Sequence, residues 1–232
     1  MYKIIKRCFD FAAALLAIIV LLPFMIPIII GLLLTGEHYV FYWQERIGRG
    51  GKPFNVWKFA TMLKNSPNIG TGTTTIANDP RVLPMGKFLR KTKINELPQL
   101  INVLIGNMSV IGPRPLVKSE FDIYDPETQQ ILVAMKPGLS GIGSVVFRDE
   151  EYYISQTSDP IDFYAARVIP QKARLEKWYY THRNLWVDLM LILITVWVIL
   201  FPKSNLVYKI FKDLPVVDLQ KEADQYKQNK GK

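Results

Sequence analysis

The sequence predicts an α+β protein, mainly helical, with membrane-associated helices near both ends and a small β-hairpin. Three observations predict it. Two long apolar runs flank the middle of the chain, the middle carries helical periodicity, and one short stretch alternates like paired strands. The expected division is a re-entrant membrane helix-hairpin over 1–36, a cytosolic domain over 37–184, and an interfacial apolar helix with a polar tail over 185–232. A length of 232 residues suits one ordinary domain with appendages. Lysines and arginines number 29 against 20 acids, a formal charge of +9 that suits anionic lipid, phosphorylated substrates or nucleic acid. The apolar runs favour lipid and argue against nucleic acid. A single cysteine, Cys8, leaves no intramolecular disulfide to form.

The first run, Phe11 to Leu34, holds 24 residues without a charge, and ~20 are enough to cross a bilayer core as a helix. Two features argue against simple crossing. Pro23 and Pro27 fall in mid-run, where each removes a backbone donor and crowds the preceding turn. Basic residues also stand on both flanks: Lys3, Lys6 and Arg7 before, Arg46, Arg49, Lys52 and Lys58 after. Positive charge marks the cytoplasmic side of a membrane, and here it marks both ends. A helix that enters, bends at proline and leaves by the same face satisfies both signals; a proline-kinked spanning helix is the alternative.

The second run, Leu185 to Phe201, is shorter and contains Asp188, with lysines and arginines again on both flanks. An ionised aspartate is costly at the bilayer centre but tolerable near a helix start at the interface. This run reads as a helix lying in the cytoplasmic leaflet. Trp178, Tyr179 and Tyr180 just before it, with Trp186 at its start, suit the headgroup level.

Between the runs, "YVFYWQERIGRGGKPFNVWKF" has β-formers around a Gly-rich basic turn and reads as a hairpin. Arg46, Arg49 and Lys52 in that turn suit headgroups, a phosphate or plain solvent. "NSPNIGTGTTTIANDPR" has loop composition, and "GKFLRKT" reads as a short helix. In "KTKINELPQL" Asn95 is a good N-cap, Glu96 falls in the first turn, and Leu97 to Ile105 form an apolar stripe that Gly106 can end in the left-handed conformation. Next, "GNMSVIGPRP" locks Arg114 between Pro113 and Pro115, a rigid mount suited to phosphate or carboxylate, or to a buried salt bridge. The acids Asp149, Glu150 and Glu151 read as a solvated face, and His38 and His182 lack acid neighbours in the sequence. There is no Walker loop, dinucleotide-binding GxGxxG, zinc-ligand spacing or internal repeat.

Several segments appear in a telling order: "KRCFD" before the first apolar run, "QERIGRGGKPFNVWKF", "NDPRVLPMGKFLRKTKINELPQLINVLIGNMSVIGPRP", "KPGLSGIG" and "LWVDLMLILITV". Together they resemble the bacterial sugar transferase family, the monotopic phosphoglycosyl transferases, up to about Val196. The resemblance implies transfer of a sugar-1-phosphate from a nucleotide diphosphosugar to undecaprenyl phosphate, starting capsule, exopolysaccharide or other surface polysaccharide assembly. It implies a protein of the bacterial inner membrane facing the cytoplasm, a helix broken at proline, and Mg2+ as cofactor. By the same resemblance Asn95 and Glu96 occupy the catalytic and metal position, and Arg90, Arg114 and Lys58 are candidate phosphate contacts. Oligomeric state stays open, a homodimer included.

Three positions depart from the family pattern. Asn95 stands where the family has the aspartate of an Asp-Glu pair, Asn107 replaces the aspartate of "GDMS", and Ala60 replaces the arginine of "KFR". An amide is not a competent nucleophile and is a weaker magnesium ligand than a carboxylate. Three readings follow: Glu96 carries the reaction, the chain is an inactive relative that binds substrate or partners, or Asn95 is an introduced substitution.

Overall fold

The computed structural model describes residues 1–69, 79–202 and 204–230. The loop expected over 65–81 therefore falls partly outside the described residues, at 70–78. Elements run in the order α1 (Tyr2–Leu34), β1 (Phe41–Ile47), β2 (Pro53–Phe59), α2 (Pro84–Lys91), α3 (Gln99–Ile105), β3 (Ser109–Ile111), α4 (Lys118–Phe121), α5 (Pro126–Ala134), β4 (Gly138–Ser140), α6 (Ile142–Val146), α7 (Glu150–Ser155), α8 (Pro160–Phe163), α9 (Ile169–His182), α10 (Leu185–Leu200), α11 (Leu206–Ile210) and α12 (Leu219–Lys230). The fold is α+β and mainly helical, with two small sheets: the expected β1–β2 pair, and a parallel β3–β4 pair that the sequence did not announce. Two compact units interleave along the chain. One holds Met1–Arg7, Arg46–Phe54 and Asn107–Lys232; the other holds Cys8–Glu45 and Asn55–Gly106.

The second of these units is built on α1. The helix is unbroken through Pro23 and Pro27, so proline does not interrupt it as the family resemblance implies. Its 33 residues would extend ~50 Å if straight, well beyond a ~30 Å hydrocarbon core. Along one side Met25 and Leu32 are buried against Phe59 and Leu89, with Ile28, Phe41, Ile94 and Leu97 around them. Phe24, Ile26, Ile30, Leu33 and Leu34 are exposed. The hairpin continues this core outward: Phe41 stacks on Phe59 at 5.8 Å, and Trp57 meets Phe41 at 5.4 Å and Trp43 at 5.5 Å.

In the other unit, α10 is one-sided. Val187, Leu191, Ile194 and Val198 enter the main core, while Leu189, Leu193, Val196 and Leu200 remain exposed. Asn184 caps its start, accepting from the backbone N–H groups of Trp186 at 2.9 Å and Val187 at 3.0 Å. Asp188 is 6% exposed, and its carboxylate is enclosed rather than left at an interface. It accepts from the Tyr2 hydroxyl at 2.7 Å, the Lys6 ammonium at 2.8 Å and the Tyr179 hydroxyl at 2.6 Å. Three helices, α1, α9 and α10, thus meet on one carboxylate. Trp178 and Tyr179 belong to this core, contrary to the expected headgroup placement; Trp186 is exposed. The stretch past α10 is not merely a polar tail, since Leu219, Ala223 and Tyr226 are buried in the same core.

A second carboxyl is buried in α9 without such support. Glu176 is 5% exposed, and its Oε2 has no hydrogen-bond partner among the described residues. Burial pushes it up to about 8, with Lys172 one turn earlier acting in the opposite direction. Lys172 is itself engaged by Glu150 at 2.6 Å and donates to the Tyr164 hydroxyl at 3.2 Å. Glu150 is therefore half-buried and paired, not part of a solvated face.

The raised value fixes a pH dependence. Above an ordinary carboxylate value near 4.5 the unfolded chain ionises at residue 176 while the folded chain keeps its proton up to about 8. Folding stability therefore falls as pH rises through that window and levels off above it, by ~1.4 kcal/mol for each unit separating the two values. Glu176→Gln is expected to flatten this slope and to be the more stable form at pH 8 by a few kcal/mol. Chemical denaturation in detergent between pH 5 and 9 checks it; parallel curves for the two proteins would contradict the assignment.

Candidate functional site

Four of the polar residues singled out in the sequence, Lys58, Arg90, Asn95 and Glu96, adjoin residues of the α1–hairpin core. Phe59, Leu89, Ile94 and Leu97 belong to one apolar cluster. Each has a sequence neighbour of chemical interest: Lys58 beside Phe59, Arg90 beside Leu89, Asn95 beside Ile94, and Glu96 beside Leu97. Phe59 and Leu89 are buried there, with Ile94 and Leu97 packed against them, so each polar residue adjoins the core in sequence; on β2 the Lys58 side chain points to the opposite face of the hairpin from Phe59. The membrane-type helix contributes Met25 and Leu32 to that same core.

Local structure then sets each side chain. Helix α2 starts on Pro84, which suits a first turn, and carries Arg90 in its last turn. It lies so close to Thr61 that a Cβ on Gly86 would fall 2.1 Å from the Thr61 carbonyl oxygen, so only glycine fits there. Arg90 is half-buried, and its Nη1 reaches Thr61 Oγ1 at 3.4 Å, a long contact that leaves the guanidinium donors little used there. Past α2 the chain reverses at Lys93, a non-glycine residue in the left-handed region with φ 59°. A single 3₁₀ turn, Ile94–Glu96, follows, and Gln99 begins α3. Gly106 ends that helix at φ 93°, as its position predicts.

Asn95 is thus not the N-cap expected from its position. It sits inside the 3₁₀ turn, 8% exposed, and its side chain makes no cap bond. Its Oδ1 is a buried acceptor with no hydrogen-bond partner among the described residues. Such an orphan costs about 1–3 kcal/mol unless something fills it. Glu96, next to it, is half-buried. Lys58 donates to Gln44 Oε1 at 3.1 Å across the hairpin. No group of three or more His, Cys, Asp or Glu gathers among the described residues.

Arg114 belongs to the other unit, where its mount is rigid. Gly112 packs against the 136–138 backbone, Gly138 N–H donates to the Pro113 carbonyl at 2.8 Å, and Arg46 donates to the Pro115 carbonyl at 3.1 Å. Arg46, on strand β1 rather than in the turn, therefore holds the proline frame while facing Glu120 at 3.7 Å. Arg114 itself is exposed at the rim of a small cavity lined by Ile47, Gly48, Phe121 and Leu132.

Three further features escape the sequence reading. Asn102, fully buried on α3, accepts from Trp57 N–H at 2.9 Å and donates to the Asn55 carbonyl at 2.8 Å, pinning the helix to β2. Its one signal is a polar residue inside an apolar stripe. Asp79 and Arg81 form a buried pair at 2.6 Å, and Arg81 also donates to the Ser66 and Ile69 carbonyls, each at 2.8 Å. That guanidinium joins the backbone on either side of residues 70–78. Finally, His182 does have an acid partner, Asp213 at 3.0 Å, 31 residues further along.

A family model described as bacterial sugar transferase matches residues 1–202. The chain is 32% identical over 212 residues to the undecaprenyl-phosphate galactose phosphotransferase of Salmonella typhimurium, covering 85% of this chain and 41% of that protein. It is 32% identical over 197 residues to the UDP-glucose:undecaprenyl-phosphate glucose-1-phosphate transferase of Escherichia coli K12, covering 84% and 40%. With the exopolysaccharide production protein ExoY of Sinorhizobium fredii the identity is 33% over 168 residues, 66% of this chain and 74% of that protein. The chain spans about two fifths of the length of the first two.

Asn102 offers a direct check on the site's scaffold. Asn102→Leu keeps the bulk but leaves the Trp57 donor and the Asn55 acceptor without their partner, which should cost about 2–4 kcal/mol. Urea unfolding in detergent measures it. A variant as stable as the parent would show that these bonds do not hold α3 in place.

Proposed function

This chain belongs to the bacterial sugar transferase family, and from that premise we propose that it is a monotopic phosphoglycosyl transferase. The reaction is transfer of a sugar-1-phosphate from a nucleotide diphosphosugar to undecaprenyl phosphate, at the cytoplasmic face of the bacterial inner membrane. It would begin assembly of a surface polysaccharide, as the names of its relatives suggest for them. One observation carries the reading beyond family membership. The apolar helix α1 and the Asn95–Glu96 turn share a single core, which supports a carboxylate held at the depth where a lipid phosphate meets water.

Basic residues on both flanks of α1 support a re-entrant path for it. Its first turns are tied to α9 and α10 through Asp188, and its later turns pack on Phe59 and Leu89. Among the described residues no second helix is long and apolar enough to carry the chain across a bilayer and back. The change of direction would be a bend at Pro23 and Pro27 within continuous helix. The exposed face of α10 would lie along the same leaflet.

The chemistry falls to Glu96, because the amide of Asn95 cannot attack phosphorus. The Glu96 carboxylate attacks the sugar-bearing phosphorus of the donor, and the nucleoside monophosphate leaves with the bridging oxygen. A phosphate oxygen of undecaprenyl phosphate then attacks the same phosphorus, regenerating the free carboxylate and forming the lipid diphosphate. Arg90, with donors left over in the unit that carries Glu96, is suited to hold a donor phosphate; Arg114, fixed by its prolines, is by itself suited to a phosphate or carboxylate. Lys58 could add charge but already serves Gln44.

The donor set also fits a magnesium ion bound largely through substrate. Such an ion commonly takes one or two carboxylates plus phosphate oxygens, and Glu96 with the unpartnered Asn95 Oδ1 offers two hard oxygens side by side. When bound, it would neutralise diphosphate charge. Asn95 in place of an aspartate lowers the negative charge of the turn, leaving Glu96 as its one carboxylate.

Two outcomes test the proposal. Glu96→Gln is expected to lose transfer by at least about a thousandfold in an assay with radiolabelled donor and undecaprenyl phosphate, with helix content unchanged. Mass spectrometry after donor addition should place a phosphosugar adduct on the peptide carrying Glu96. Inactivity of Glu96→Gln without any adduct would replace the covalent route by direct transfer, whereas full activity would defeat the mechanism. For topology, cysteines introduced at Lys3 and Arg49 in a Cys8→Ser background should both resist a membrane-impermeant reagent applied to the periplasmic side. Labelling at one position alone would make α1 a spanning helix.

A further inference from the structure

Helices α8 and α9 do not join as regular α-helix. The five residues between them, Tyr164–Val168, wind as a π-turn, and the Ile169 N–H donates to the Tyr164 carbonyl. Pro170 gives the local reason. It has no N–H to offer, and in a regular helix its ring would press on the carbonyl four residues back, at Ala166; a wider turn relieves both. The wide turn also sets Tyr164 where its ring lies 4.9 Å from the Lys172 ammonium, which in turn holds Glu150.

The stretch past α10 grips α9 at both ends. On the π-turn side, the Tyr226 hydroxyl donates to Asp162 and its ring meets Phe163 edge-on at 5.2 Å. Glu222 accepts from Gln171 at 3.1 Å and faces Arg167 at 3.6 Å. These partners bracket the π-turn. At the other end, Asp213 accepts from the Trp178 indole N–H at 2.8 Å and pairs with His182 at 3.0 Å. Phe211 lies 5.1 Å from Trp178 and 5.7 Å from Trp186, at the corner where α9 turns into α10. Between the two grips, Leu214, Leu219 and Ala223 are buried in the core that α9 shares. Helix α9 has 14 residues, so the grips stand about 20 Å apart along it.

We propose that the segment Phe211–Tyr226 is a strap that clamps α9 end to end and couples the π-turn to the α9–α10 corner, so that the two open together. Neither grip is large: each is a few polar contacts around two buried rings, Phe163 with Tyr226 at one end and Trp178 with Phe211 at the other. The buried residues between them make the strap a stiff link rather than two separate patches. Loosening one end should free the strap and expose the other. A disturbance of α10, the helix with the exposed apolar face, would thereby reach the Tyr164–Lys172–Glu150 cluster.

Hydrogen exchange read by mass spectrometry on the full chain in detergent tests the coupling. Asp213→Ala loosens the corner grip; Glu222→Ala with Tyr226→Phe loosens the π-turn grip. Each is expected to speed exchange at least about fivefold in both 162–171 and 178–187, with α3 unchanged. Faster exchange only beside the substituted residues, or no change at either end, would overturn the proposal, since the grips would then be independent or idle. Should a variant also raise exchange in α3, Arg167→Gln, which removes one partly exposed ion pair, is read in its place with the same two outcomes.

Discussion

A single buried carboxylate organises the apolar part of this protein. Asp188 interrupts an otherwise hydrophobic helix, and such a charge is tolerated only where donors surround it. Two donors come from the far end of the chain, Tyr2 and Lys6 at the start of α1, and a third, Tyr179, from the neighbouring helix α9. Each donor is amphipathic, so each helix can present apolar surface while satisfying the same anion. Removing any one would leave part of the charge unpaired, and the packing of α10 against the core depends on that charge being satisfied.

From this anchor the rest of the architecture follows by shared cores. The start of α1 is held by Asp188, its later turns by Phe59 and Leu89, and the latter core carries the residues beside Lys58, Arg90, Asn95 and Glu96. A soluble-type polar turn and a membrane-type helix are therefore not separate modules joined by a linker. They are two sides of one apolar cluster. That arrangement suits the proposed reaction between a water-soluble donor and a lipid acceptor, in which the helix would set the depth of the turn.

The frame of the Asn95 turn does not depend on the charge at that residue. The left-handed Lys93, the 3₁₀ turn and the Gly106 stop depend on backbone geometry and on Leu100 being buried and Leu97 packed on the core, none of which distinguishes an amide from a carboxylate. What distinguishes them is the charge carried at the buried Oδ1, which has no hydrogen-bond partner among the described residues. The strapped α9 presents the opposite case. There Glu176 is enclosed by apolar packing and kept neutral by it, so its protonation, not its partners, accommodates the burial.

Much was legible in the chain itself. Periodicity and punctuation determined the helical class, the hairpin, α2 and the end of α3 at Gly106, because these depend on residues within a turn or two of each other. The ordered motifs from Arg90 to Arg114 determined the family resemblance and the candidate residues. What the tertiary structure decided involves partners remote in sequence. It placed Trp178 and Tyr179 in the core, gave His182 an acid partner, engaged Arg46 and Glu150, buried Asn95 inside a turn instead of at its cap, and folded Leu219–Tyr226 onto α9. An aromatic near an apolar run satisfies the pattern of an interface and of a core equally well, and an acid reads as solvated until a lysine 22 residues away is brought to 2.6 Å. Local sequence encodes what each residue can do; which of those capacities is used depends on which distant groups the packing brings within hydrogen-bond reach.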